Sequence, residues 1–143
     1  MTRFEIFGRK KKTEEKIAEK KLLDEICGND VELKQALTMI LLLNPQRTGE
    51  TGGIDSHLEL AKGYENENDH VRSRVEYQVA GELALYEGKL VQTQKFFQKA
   101  ADADPHYNHR VFEFFSKEEN IERAIAAATE YYRRTMPSEK KML

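Results

Sequence analysis

A single cysteine, Cys27, leaves no partner for an internal disulfide, and no CxxC spacing exists for zinc or redox work. That usage fits a reducing compartment, with Cys27 acting as a small hydrophobe near a helix end. Long apolar runs are missing too: the longest, MILLL at residues 39–43, is far below the ~20 residues that span a bilayer. Phe4, Ile6 and Phe7 do not make the apolar stretch of a secretory signal, so the expected location is cytoplasmic. An excess of one charge is also absent, since 34% of residues are charged yet the net charge is only −2, which argues against a dedicated nucleic-acid binder. No phosphate-cradling loop occurs, because GETGG lacks the lysine and helix context of a nucleotide site.

What remains is helical periodicity. A chain of 143 residues is long enough for one domain with a real core, and no segment alternates like a half-buried strand. The first helix is expected after Thr13, carrying Ile17, Leu22, Leu23 and Ile26 and stopping at Gly28, where a left-handed residue is needed. Asn29 with Glu32 reads as the cap of a second helix that ends before Pro45. The glycine-rich stretch at 45–55 reads as a flexible loop, and Ser56 with Glu59 as the start of a short third helix. A long fourth helix carries two stripes, one of Val71, Val75, Val79 and Leu83 and one of Tyr77, Ala80, Gly81 and Ala84, so two neighbours are expected. Gly88 turns the chain into a fifth helix with Leu90, Phe97, Ala100 and Ala101 inward. Asp104 before Pro105 suits the start of a sixth, and the last runs through NIERAIAAATEYYRRTM. The fold class is all-α, with about seven helices.

Residues 77–105, YQVAGELALYEGKLVQTQKFFQKAADADP, resemble the tetratricopeptide repeat, a helix-turn-helix unit of 34 residues. Tyr77 stands where that family often has tryptophan, Ala80 and Gly81 take the following Leu-Gly pair, and Gly88 marks the turn. Phe97, Ala100 and Pro105 match the second half, while Ala84 and Thr93 depart from the pattern. The best match covers 74–107, and a degenerate unit over 108–137 begins near Val111, 34 residues after Tyr77. The resemblance implies antiparallel helix pairs stacked as a short right-handed solenoid over 13–136, between an arm at 1–12 and a tail at 137–143. Small residues at Ala80 and Gly81 then let neighbouring helices approach closely.

Such repeats generally present a groove to a peptide or helix, which makes a non-catalytic interaction scaffold or assembly subunit the leading expectation. Carried over residue by residue, that face holds Gln78, Glu82, Leu85 and Tyr86, with His109 and Phe112 from the next unit. The family members that grip a terminal carboxylate use lysine and asparagine there; Gln78 and Glu82 build no such clamp. The alternative is the arm: RFEIFGRKKK joins aromatic rings to Arg9, Lys10, Lys11 and Lys12, suited to an anionic membrane or a nucleic acid. Residues 1–21 carry eight Lys/Arg against four Glu, so this arm is basic on an otherwise acidic body. Self-association through a repeat end is a further expectation. An enzyme is disfavoured: His106 and His109 lack a third metal ligand, His57 and His70 sit in polar stretches, and adjacent Glu118 and Glu119 diverge around a helix. Neither cofactor nor metal is expected.

Overall fold

The computed structural model describes residues 14, 17–40, 52–107 and 110–135. The basic arm with Arg9 to Lys12, the cap at Thr13, the end of the second helix with Pro45, most of the glycine-rich stretch, His109 and the tail lie outside the described residues. Among the described residues the chain is all-helical, with seven helices and no strand: α1 (17–27), α2 (Val31–Ile40), α3 (Ile54–Asn66), α4 (His70–Tyr86), α5 (Leu90–Ala103), α6 (Arg110–Phe114) and α7 (Glu118–Thr135).

The best-formed part is the run α3–α4–α5, and its local chemistry explains it. Both connections use one turn. Asn68 and Gly88 adopt φ of 58° and 74°, and the next N–H reaches back five residues, Asp69 to the Tyr64 carbonyl and Lys89 to the Ala84 carbonyl, each at 2.9 Å. This is the Schellman closure, which needs a left-handed residue and satisfies a carbonyl the helix end would otherwise strand. Asp69 then caps α4 by accepting the Arg72 N–H at 3.1 Å. Connections this short return each helix along its predecessor, so α4 is shared by two successive hairpins and packs on α3 and α5 alike.

Polar bonds set the register of these hairpins. Buried His57 meets Glu76 at 2.6 Å between α3 and α4. Between α4 and α5, Arg74 donates to Asp104 at 3.2 Å while its guanidinium lies 3.7 Å from the Tyr107 ring centroid. The His57 contact corrects its reading as an isolated polar residue. The close approach expected at Gly81 is present, but its neighbour is a ring: a Cβ there would lie 2.8 Å from Phe97 Cδ2. Phe97 in turn stacks on Phe115 at 4.3 Å, which carries the core from α4 through α5 to the segment after α6. Thr93, the departure from alanine, is tolerated because its hydroxyl donates to the Lys89 carbonyl at 2.7 Å.

Three helix starts differ from expectation. Asp30, not Asn29, accepts the Leu33 N–H at 3.2 Å before α2. Extended Gly53 precedes α3 with no side-chain cap, so Ser56 lies inside the helix. Residues 105–106 form a turn, so Pro105 does not open the sixth helix, and α6 has five residues. With α6 so short, the long α7 reaches α2, α4 and α5, burying Ile121, Ala124, Ala127 and Ala128. Its small side chains permit this proximity to several neighbours. Arg123 pairs with Asp30, and Arg134 with Glu25 at 3.2 Å, fixing α7 to the α1–α2 turn and to α1. No described helix is long and apolar enough to cross a membrane.

Candidate functional site

Three of the expected recognition residues, Gln78, Glu82 and Tyr86, fall on one stripe of α4. Val71, Val75, Gln78, Glu82 and Tyr86 are spaced 4, 3, 4 and 4 along the helix and so share a face. Its two ends differ in environment. Val71 is 56% and Val75 42% exposed, although the sequence pattern marks them for packing, whereas Glu82 retains only 2% exposure. The open end is apolar, and the covered end is polar.

Gln78, half-buried, donates from Nε2 to Glu82 Oε1 at 3.3 Å. Among the described residues, Glu82 Oε2 has no hydrogen-bond partner, and neither does the buried hydroxyl of Tyr86. Burial drives the Glu82 carboxyl up from 4.5 to about 8, against a smaller lowering by Gln78. It therefore keeps its proton at neutral pH. Burial first, then the Glu82 carboxyl and the Tyr131 phenol, push the Tyr86 phenol well above its ordinary range. The Tyr86 ring faces Tyr132 of α7, centroids 6.4 Å apart and planes at 53°.

Leu85 is fully buried beside these groups, and Phe112 is buried against Phe97 and Tyr107 at centroid distances of 6.3 and 5.8 Å. The structure thus brings Gln78, Glu82, Leu85 and Tyr86 together but seats Glu82, Leu85 and Phe112 in the interior instead of along an open groove. His109 lies outside the described residues. Short α6 supplies no long wall beside α4, and α7 packs there instead. Tyr131 and Tyr132 were visible in the sequence only as part of the closing helix; nothing local in YYRR places them beside Tyr86.

Other candidates are less organised. Among the described residues no group of three or more His, Cys, Asp or Glu side chains is placed to hold a metal ion. A cleft of about 770 Å³ opens between α2 and α6, over Met39, Val111 and Phe114. Its rim mixes Glu32 and Glu113 with Lys34, Arg110 and Lys117, a pattern that selects no sign of ligand charge. Cys27 is buried, and burial with nearby Asp30 raises its thiol above the ordinary range, away from nucleophile chemistry. No protein-family model, no curated protein and no solved structure matches this chain.

Proposed function

We propose that this chain is a non-catalytic, cytoplasmic interaction scaffold of tetratricopeptide-like design that docks a partner polypeptide along α4. The observation that carries this reading is the two-ended stripe: exposed Val71 and Val75 continue through Gln78 into a buried acid and phenol whose oxygens lack partners. Apolar anchors beside a directional polar group are the elements by which a groove takes a helix or extended peptide. The twin hairpins supply the rigidity, since shared α4 is held by turns, ion pairs and rings on both sides. An expected solenoid arrangement agrees with the repeated turn at Asn68 and Gly88 and remains part of this proposal.

A photoreactive phenylalanine analogue at Val75, compared with the same probe at exposed Lys95, tests the docking face in cells of the source organism. The expected result is one discrete protein adduct from position 75, none from 95, and loss of the adduct when Val71→Glu is added. Equal labelling from both positions rejects the face.

A further inference from the structure

We infer that the outer face of α3 receives the basic arm, residues 4–12, of a second copy of this chain. This contact is separate from the α4 docking face and does not rest on it. Among the described residues α3 packs chiefly on α4, and on its other side Ser56, Glu59, Leu60, Gly63 and Glu67 are exposed. A hollow of about 470 Å³ lies there over Ser56, Leu60, Gly63 and Tyr64, between Glu59 and Glu67. Its apolar floor is open, Leu60 being 46% exposed. Gly63 is neither left-handed nor crowded, since a Cβ there would meet nothing within 4 Å among the described residues. Inside a helix such a glycine is less stable than alanine, and the chain's own packing gives no reason for it. A ring laid across the backbone at that notch does.

Charge selects the occupant. Asp55, Glu59, Glu65 and Glu67 stand against Lys62, and Lys62 lies two positions from Leu60, on the opposite side of the helix. Among the described residues no cation pairs with Glu59 or Glu67. The last turn of α3 holds no basic residue, so Glu65 and the C-cap Glu67 meet the negative end of the helix dipole uncompensated. Arg72 reaches over the Tyr64 ring at 5.7 Å but is tied to Asp69 at 3.4 Å. The arm carries Arg3, Arg9, Lys10, Lys11 and Lys12 against Glu5, with Phe4, Ile6 and Phe7 beside them. The larger cleft between α2 and α6 has Lys34, Arg110 and Lys117 on its rim, which repel such an arm.

Leu60 and Glu67 are seven residues apart, about 10 Å along the axis, a span that three extended residues cover. Phe7 and Lys10 have that spacing, so Phe7 over Leu60 and Gly63 brings Lys10 to Glu67. With residues 4–12 on α3, only 13–16 remain before α1, about 17 Å at full extension. Contacts lead from α3 to α4, from α4 to α7 and from α7 to α1, three steps of about 8–10 Å between axes. A chain's own arm falls short of its own α3, and the arm of a second copy has no such tether.

Sedimentation of the full chain from about 10 to about 500 µM, in roughly 50 and roughly 500 mM salt, reads the contact. The mean mass is expected to rise with concentration at the lower salt, with association about tenfold weaker at the higher. Glu59→Lys with Glu67→Lys, and separately Lys10→Glu with Lys11→Glu, are each expected to stay monomeric, while an equimolar mixture of the two regains association. That rescue requires the arm of one molecule on the α3 of another. Gly63→Gln is expected to weaken association about fivefold while melting no earlier than the parent, which separates docking from folding. A parent that stays monomeric at every concentration, association untouched by either charge reversal, or a mixture that stays monomeric overturns the proposal. So does binding to vesicles of phosphatidylserine and phosphatidylcholine without self-association, which assigns the arm to a membrane. Val71→Glu is expected to leave self-association unchanged while abolishing partner docking at α4, so the two readings fail separately.

Discussion

Gly81 carries the tightest constraint at the scale of a single residue. Alanine in its place puts a methyl 2.8 Å from the Phe97 ring, and that ring is locked between Gly81 and Phe115. Alanine improves helix propensity by about 0.5–1 kcal/mol, but overpacking costs about 1–3, so Gly81→Ala is expected to lose stability in urea unfolding. Adding Phe97→Leu should recover part of that loss, since touching sites are not additive. The need for a small residue at 81 was legible from the spacing of Ala80, Gly81 and Ala84; the identity of the neighbour was not, because ring placement depends on Phe115, eighteen positions beyond Phe97. Glu82 gives the second residue-scale expectation. Below about pH 4.5 its carboxyl is protonated folded or unfolded; from there to about pH 8 only the folded chain keeps the proton. Stability therefore falls as pH rises across that window and levels off above it. Denaturation curves at pH 5, 6.5 and 8 check the slope, and Glu82→Gln should flatten it.

Elements were read from the sequence where the signal is local. The turns at Gly28 and Gly88 follow from a left-handed glycine after an apolar-periodic segment, and both take positive φ. At Gly88 nothing crowds a new methyl, the nearest atom being Ile125 Cγ2 at 4.0 Å, so Gly88→Ala isolates the backbone term. It should lower stability by about 1–2 kcal/mol in a thermal melt, with secondary structure unchanged before the transition. Caps proved less legible. Neighbouring Asn29 and Asp30 are both capable acceptors, and only the path of the preceding turn selects Asp30. The same holds at α3, where extended Gly53 precedes the helix three residues ahead of the Ser56–Glu59 pattern. Local spacing names the available caps, and tertiary placement chooses among them.

For the molecule as a whole, sequence-near and sequence-far contacts divide the labour. The hairpins of α3, α4 and α5 are joined by adjacent partners, whereas α7 reaches back to α1 and α2 through Arg134–Glu25 and Arg123–Asp30. Those exposed pairs contribute about 0–1 kcal/mol each and weaken with salt. Amide exchange should accordingly be slowest in α4 and α5 and fastest in α1, whose described surface is mostly exposed, with α1 protection falling further in 0.5 M salt. This division also explains why the helical class was legible and the covered end of the site was not: periodicity reports a helix's own faces, while the seating of Tyr132 against Tyr86 depends on a return across 46 positions. The dry, unmatched oxygen of Glu82 has one more implication. Leucine at that position should yield a sturdier protein at neutral pH, by about 1–3 kcal/mol. Robustness and sensitivity to pH are set against each other in one side chain.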